Sequence, residues 1–247
     1  MRIGIFSIAI WIFWVSASAQ QIHYFRVEVG PKYDAFEVKG NENVSPQFKT
    51  DVGAGFFVGK RFTESAFAEL GIIKHDYVSK IEVTTHKSTG DNLVSFGNRL
   101  LSSFNSVQLG LLGGYEWQVK PRINVHAKGG FQLFLNRTLK QEGSATFFEE
   151  AKNTDIGYAE PIQLIMFSNG LEAGNLIFRG DVGMNYYFGN RVFLEASISA
   201  RIGNTTLSEY QVEYQSQSML APRRATISTS GRSIGFNIGI RYRLANF

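Results

Sequence analysis

Glu116 and His126 are the residues of this sequence that come closest to an acid–base pair. They lie on either side of Lys120 to Arg122, in segments that alternate apolar and polar residues. If the chain reverses over those three residues, both side chains lie opposite each other on the polar face of a hairpin. A carboxylate beside an imidazole can act in general acid–base catalysis. The pair would point inward and lie close to a tight turn, so a structural pairing is the favoured interpretation.

No other residues form a pattern typical of catalysis or of metal or cofactor binding. The chain has no Cys, and His23, His75 and His86 are scattered without a metal-ligand spacing. The glycines between Gly110 and Gly114 lie in a strand-like segment with no helix start after it, so they do not predict a phosphate loop. We therefore assign no catalytic, metal-binding or cofactor-binding residues.

Eight segments of the chain alternate sizeable apolar residues with small, polar or charged ones. A β-strand points successive side chains to opposite faces, so each segment has one apolar and one polar face. In the last segment, Ile234, Phe236 and Ile238 alternate with glycine and asparagine. The predicted strands are Tyr24 to Tyr33, Asp51 to Phe62, Ser65 to Tyr77, Ser106 to Val119, Ile123 to Asn136, Asn175 to Phe188, Val192 to Gly203 and Ser233 to Phe247.

Short and long connections alternate between these strands. Tight turns are predicted at Thr63-Glu64, Lys120-Pro121 and Gly189-Asn190, whereas the other four connections are long. A strand of about 12 residues, tilted by ~45°, spans roughly 28 Å, which exceeds the ~25 Å apolar band of a transmembrane barrel. The predicted fold is all-β, a closed eight-stranded antiparallel up-and-down transmembrane β-barrel. Outward aromatics should ring its short-turn end: Phe25, Phe62, Tyr115, Trp117, Tyr186, Phe188 and Tyr242.

The N-terminus has the features of an export signal. Arg2 precedes the apolar run Ile3 to Val15, and Ala17-Ser18-Ala19 has the small-x-small pattern of a cleavage site. The alternative, a membrane anchor helix, needs roughly 18 to 20 apolar residues, more than this run provides. We therefore predict a signal peptide over residues 1–19, a barrel domain over residues 20–247 and export to the outer membrane.

The sequence resembles the small eight-stranded outer-membrane barrels of the OmpA/OmpX-like group, especially the barrel-only proteins of Bacteroidota. The resemblance rests on the eight strands, the alternation of short and long loops, and the closing strand that ends at Phe247. The resemblance covers Tyr24 to Phe247 and is architectural, without a catalytic motif. It implies contact with outer-membrane lipid and lipopolysaccharide, and recognition of the terminal strand by the barrel-insertion machinery. The net charge of +4 does not indicate a nucleic-acid partner, because the basic residues are scattered singly.

Many predicted inward positions are charged. Eight strands enclose little more than their own side chains, so these groups should pair and plug the lumen instead of lining a channel. On that basis Glu195→Ala and Arg201→Ala should each lower thermal stability. The inward set comprises Arg26, Lys32, Arg61, Lys128, Arg179, Arg201, Arg241 and Arg243, with Glu28, Glu69, Glu116, Asp181 and Glu195.

A specific role is expected in the outer loops. The third loop, Arg137 to Gly174, leans acidic and contains the apolar run Ile162 to Phe167, which indicates either a partner-binding patch or barrel lid, or a short strand or helix packed on its own loop. Ile81 to Val83 and Thr226 to Ser228 keep the alternation, so strands should continue above the membrane.

Four functions remain open on the sequence. The first is a non-enzymatic outer-membrane barrel with a structural, adhesive or assembly role. The others are a narrow porin-like channel, a lipid-modifying enzyme, and a soluble lipocalin-like carrier. The last would need an apolar lumen and a polar exterior, the reverse of the predicted arrangement.

Overall fold

The computed structural model describes residues 23–40, 44–47, 50–89, 92–135, 141–148, 161–168, 174–216 and 221–244. Among them, no helix is long and apolar enough to cross a membrane. These ranges contain fourteen strands: β1 (His23–Asp34), β2 (Glu37–Lys39), β3 (Val44–Gln47), β4 (Thr50–Arg61), β5 (Ala66–Thr89), β6 (Asn92–Lys120), β7 (Ile123–Phe134), β8 (Gln141–Phe148), β9 (Pro161–Ser168), β10 (Leu176–Tyr187), β11 (Val192–Gly203), β12 (Ser208–Ser216), β13 (Arg223–Thr229) and β14 (Ser233–Arg243).

Eight of the strands form a closed antiparallel barrel, as the sequence predicts. Their order around the ring is β5-β4-β1-β14-β11-β10-β7-β6, and the pairing of β5 with β6 closes it. The first and last barrel strands are joined by antiparallel pairs that include Val27 with Ile240. Closure leaves no unpaired edge in the barrel wall, which is the condition for a sheet to exist in lipid.

The hairpin between β6 and β7 brings Glu116 and His126 opposite each other, as predicted. It does so by a different turn, because Lys120 pairs with Ile123 across a two-residue turn. The register shifts between Gln118 and Lys120, where a β-bulge takes up the additional residue. The prediction of a three-residue closure was therefore wrong.

The hairpin of β5 and β6 is much longer than predicted. The expected strand ends at Tyr77 and Ser106 are wrong, since the two strands pair continuously to Thr89 and Asn92. Sequence alternation weakens beyond the part of the wall with the apolar exterior, but the backbone hydrogen bonds continue. The predicted extension through Ile81 to Val83 is confirmed, and β3 adds to β5 at this level.

Segments of three long connections form a second sheet, with the order β2-β13-β12-β9-β8. Its β13 contains Thr226 to Ser228, so the predicted strand there is confirmed. Ile162 to Phe167 lies within β9 and pairs with β8 and β12, which agrees with the short-strand interpretation of the third loop. This five-stranded sheet is called the loop sheet below.

Several predictions concern residues outside the described ranges. These are the signal peptide over residues 1–19, the closing residue Phe247 and most of the acidic positions of the third loop.

The two faces of the barrel wall have opposite character. Along β14, buried and exposed residues alternate from Ser233 to Tyr242, with the apolar side chains exposed. Phe188, Val182 and Ile234 are all more than 60% exposed, whereas the charged side chain of Arg26 is fully buried. This arrangement excludes a lipocalin-like carrier, which has its polar face outside.

Candidate functional site: the ionic interior

The barrel interior accommodates long charged side chains because several inward positions are glycine. A Cβ atom on Gly59 would lie 2.1 Å from Cζ of Tyr24, and one on Gly53 would lie 2.0 Å from the imidazole of His75. Each glycine thus leaves space that a larger neighbour on the next strand occupies. The interior of the described strands is therefore filled by side chains, as expected for a ring of eight.

Glu195 on β11 is the hub of the lower interior, near the short turns. Its carboxylate accepts hydrogen bonds from Arg26 at 3.2 Å, from Arg241 at 2.9 Å and from Lys128. The Glu195 side chain is only 2% exposed. Three cations from three different strands therefore share one buried carboxylate.

Arg26 on β1 connects this hub to the opposite wall. Its guanidinium donates to both carboxylate oxygens of Glu69, at 3.0 and 2.7 Å, and also to Glu28. The Phe57 ring lies beneath it, with its centroid 4.0 Å from the guanidinium carbon, and Tyr24 donates its hydroxyl to Glu69 at 2.9 Å. Such a bidentate, stacked arrangement is specific to arginine.

Arg179 on β10 extends the network upward. It donates to the two oxygens of Glu28 at 2.6 and 2.9 Å and to Asp181 at 2.8 Å. Five cations and five carboxylates are joined in this way: Arg26, Arg61, Lys128, Arg179 and Arg241 with Glu28, Glu69, Glu116, Asp181 and Glu195. We call these ten residues the ionic network.

Glu116 and His126 do not form a catalytic dyad in this arrangement. The Glu116 carboxylate accepts hydrogen bonds from Arg61 and Arg241, and from Asn185 at 3.0 Å. His126 is fully buried, its two ring nitrogens have no hydrogen-bond partner, and Nε2 lies 3.9 Å from Glu195. The carboxylate is held by cations, so the proton transfer considered from the sequence has no geometric support.

The upper interior, towards the long loops, has a different composition. Lys32 donates to both oxygens of Asp34, at 3.0 and 2.8 Å, and its ammonium lies 3.6 Å from the centroid of the Tyr77 ring. An apolar cluster of Tyr77, Phe134, Ile177 and Leu207 is buried at this end of the barrel.

The predicted pairing of inward charges is confirmed for every carboxylate in the predicted set, but not for every cation. Arg201 is 2% exposed and has no carboxylate partner among the described residues; its single hydrogen bond runs to Ser233 Oγ at 3.5 Å. Arg243 is half-buried and lies 5.2 Å from the centroid of the Phe193 ring. For these two residues the pairing prediction was wrong, because partners across the lumen depend on register.

Two interior partners were missing from the predicted inward set: Tyr24 and Asp34. Asp34 follows the predicted end of the first strand by one residue and continues the alternation with Lys32, so extending that strand would have found it. Tyr24 was recognised as part of a strand but its inward orientation was not predicted. In the described part of the chain, no group of three His, Cys, Asp or Glu side chains is close enough to hold a metal ion.

Aromatic side chains surround the short-turn end of the exterior. Tyr115 packs against Trp117 with ring centroids 4.9 Å apart, and Tyr186 packs against Phe188 at 5.1 Å. The predicted ring is confirmed: all seven side chains are exposed, from 37% for Phe25 to 65% for Phe188. Amphipathic aromatics at one level are typical of a membrane interface.

No protein-family model and no curated protein sequence matches this chain. Among solved structures, it is similar to the outer membrane protein OprG from Pseudomonas aeruginosa, with a TM-score of 0.50, 11% identity and coverage of 91% of this chain and 97% of that chain. Neisserial surface protein A (NspA) gives a TM-score of 0.46 at 10% identity, with 90% of this chain and 97% of that chain covered. A major outer membrane protein from Thermus thermophilus gives 0.41 at 12% identity, with 90% and 99% covered. The likeness to OprG supports the β-barrel fold.

Proposed function

We propose that the protein is an integral outer-membrane β-barrel whose lumen is closed by the ionic network, and that its loop segments carry a structural, adhesive or assembly role. The apolar exterior with its aromatic ring supports insertion in lipid, since the same face would be unfavourable in water. The name of OprG as an outer membrane protein points to the same compartment. Outer-membrane lipid, lipopolysaccharide and the barrel-insertion machinery are the partners this role requires. A closer relation to the OmpA/OmpX-like barrels of Bacteroidota, and export through a signal peptide, remain part of the proposal.

The observation that carries the closed lumen is the arrangement of the ionic network itself. Arg241 and Glu116 lie on strands that are four apart in a ring of eight, and they are joined by a direct hydrogen bond. Both side chains are at most 3% exposed. Charged side chains therefore meet across the full width of the barrel, which leaves no described route for ions at this level.

Planar-bilayer recording tests this proposal against the narrow-pore alternative. Purified protein, shown to be folded by its heat-modifiable mobility on an unboiled SDS gel, should give no steady current steps. A matched variant, Glu116→Ala with Arg241→Ala, removes the two opposite members of the network and should raise the frequency of conducting events. Steady unitary steps from the unmodified protein would show that the lumen is open.

We propose no enzymatic activity. The support is that the Glu116 carboxylate is held by Arg61, Arg241 and Asn185, all on the inner face, where lipid substrates do not reach.

The loop sheet is the surface we propose for an envelope or cell-surface partner. It combines segments of the first, third and fourth long connections into one paired sheet, so these loops present a joint surface. Replacing residues 137–174 with a short glycine-serine linker should keep the heat-modifiable barrel and abolish adhesion or assembly in cells. If the variant keeps both its heat-modifiable mobility and its adhesion or assembly in cells, the third loop does not carry the proposed role.

A further inference from the structure

The buried charges of the barrel do not balance. Among the described residues, seven buried cations face six buried carboxylates, and the difference is one positive charge. Five cations and five carboxylates form the ionic network, and Lys32 is paired with Asp34. The remaining buried cation is Arg201.

Arg201 has neighbours that increase this imbalance. It lies directly opposite Arg179 in the pairing of β10 with β11, and Arg179 is the largest electrostatic influence on it. Tyr77, Glu28, Asp181 and Asp34 also act on Arg201, but Glu28 and Asp181 are hydrogen-bonded to Arg179, and Asp34 is hydrogen-bonded to Lys32. Its neighbour on β14 is the neutral Ser233, and the Nε and Nη2 atoms of Arg201 have no hydrogen-bond partner. A buried guanidinium in this position is strongly unfavourable without an anion.

Four inward side chains lie at one level of the barrel and form a layer around Arg201. Each comes nine residues after the first residue of its strand, and the four strands alternate around the ring: Lys32 on β1, His75 on β5, Gln132 on β7 and Arg201 on β11. All four are at most 2% exposed. Both ring nitrogens of His75 and both amide atoms of Gln132 have no hydrogen-bond partner. The layer thus contains two cations, an imidazole and an amide, and no carboxylate.

We propose that this layer is an anion-binding site inside the barrel that takes a small oxyanion, a phosphate or a carboxylate, with Arg201 as its anchor. The guanidinium supplies Nε–H and Nη2–H, a pair of donors that matches two oxygens of such an anion. Gln132 and His75 can each donate one more hydrogen bond. The charges acting on His75 are the cations Arg201, Lys32 and Arg179, so the local field also favours an anion.

Towards the short turns, the next layer on the same four strands holds Gly30, Ile73, Gly130 and Ser199. Arg179 reaches from β10 to Glu28 on this side of the layer, so an anion can bind at Arg201 only if side chains of the layer move aside. On the other side, the apolar cluster of Tyr77, Phe134, Ile177 and Leu207 covers the layer from the loops. A bound anion would therefore exchange slowly, and it is best introduced while the barrel folds.

The test is the dependence of barrel stability on inorganic phosphate. The unmodified protein and the variants Arg201→Met and Arg232→Met are refolded and then unfolded in urea, over a series of phosphate concentrations. Ionic strength is held constant with a bulky sulfonate buffer. Arg232→Met removes an exposed arginine, with a side chain 61% exposed, and is the matched control.

Above the dissociation constant, each tenfold rise in phosphate should shift the unfolding equilibrium of the unmodified protein and of Arg232→Met about tenfold towards the folded state. Arg201→Met should show no such shift, and without phosphate it should be more stable than the unmodified protein, because it removes an uncompensated buried charge. This sign is opposite to the loss of stability predicted for Arg201→Ala from the sequence. Equal phosphate dependence in all three proteins, or none in the unmodified one, would overturn the proposal.

A second variant supplies the anion from the chain itself. Ser233 Oγ is 3.5 Å from Nη1 of Arg201, so Ser233→Asp places a carboxylate beside the guanidinium. This variant should fold and should lose the phosphate dependence, whereas its stability in phosphate-free buffer also reflects repulsion from Asp34, which is directly opposite position 233 on β1. A Ser233→Asp protein that responds to phosphate as strongly as the unmodified one would contradict binding at Arg201.

Discussion

Replacing Glu195 with glutamine is the most direct perturbation of the ionic network. Glutamine keeps the shape of the side chain but removes a charge that Arg26, Arg241 and Lys128 share. Each charge-assisted hydrogen bond contributes about 1.5–3 kcal/mol, and removing one member of a buried ion pair costs about 3–5 kcal/mol. Arg26 retains Glu69 and Glu28, and Arg241 retains Glu116, so the main loss falls on Lys128, whose other carboxylate, Glu69, is 3.8 Å away.

We expect Glu195→Gln to lower the free energy of unfolding by about 3–5 kcal/mol. The matched control is Glu37→Gln, because the Glu37 carboxylate lies 3.8 Å from Arg232 and both side chains are 61% exposed. That exposed pair should contribute at most about 1 kcal/mol. Both variants are measured by urea titration of the refolded barrel, with the folded band on unboiled gels as a second readout.

The double variant Glu195→Gln with Lys128→Met separates two effects of the single substitution: the unpaired charge of Lys128 and the loss of packing. If the uncompensated ammonium causes the loss, removing it should recover about 1–3 kcal/mol, and the two substitutions should not be additive. A Glu195→Gln protein no less stable than Glu37→Gln, or strict additivity in the double variant, would refute the account of Glu195 as a shared buried partner.

Three further predictions concern the exterior, the interior glycines and catalysis. Val182 is 63% exposed in the middle of β10, so Val182→Arg should destabilise the barrel in lipid by about 2–4 kcal/mol while Val182→Leu should not, and equal stabilities in vesicles would contradict a lipid-facing exterior. Gly59→Ala should destabilise the barrel by about 1–3 kcal/mol, because the new Cβ atom would lie 2.1 Å from the Tyr24 ring. Gly113→Ala should change the stability by less, since the nearest atom to its Cβ would be 3.9 Å away. Chemical denaturation compares the two variants, and a larger loss of stability in Gly113→Ala would be inconsistent with the packing. Overexpression of the unmodified protein or of His126→Gln should leave the mass of lipid A unchanged, and a mass shift with the unmodified protein alone would reveal an enzyme.

The barrel strands could be predicted because lipid and lumen impose opposite requirements on neighbouring residues. The segment from Ile234 to Tyr242 shows this directly, since exposed apolar residues alternate without a break with buried glycine or polar residues. The constraint ends with the apolar band, so the continuation of β5 and β6 to Thr89 and Asn92 left only a weak trace in the sequence. There the backbone hydrogen bonds alone maintain the pairing, and they do not depend on side-chain type.

The partners inside the lumen could not be predicted from strand assignments alone. Glu116 and His126 are cross-strand neighbours, as expected, but Glu116 is bound by Arg61 and Arg241 from other strands. Which residues meet across a barrel depends on the stagger accumulated around the ring, and a local bulge such as that between Gln118 and Lys120 changes it. Arg201 and Arg179 were both expected to be paired because both face inward. Only the structure shows that Glu28 and Asp181 are already hydrogen-bonded to Arg179.

The ionic network ties together strands that share no backbone hydrogen bonds. Arg26 on β1 reaches Glu195 on β11, Arg179 on β10 reaches Glu28 on β1, and Arg241 on β14 reaches Glu116 on β6. Three cations of the network, Arg26, Arg179 and Arg241, are each bound closely to at least two carboxylates. Opening a path for ions would therefore require several buried contacts to break together. Breaking only one would leave charges unpaired in the interior, at a cost comparable to a large part of a domain's stability. Conduction should therefore require disruption of the network, and variants of the network that conduct should also unfold at lower urea concentrations.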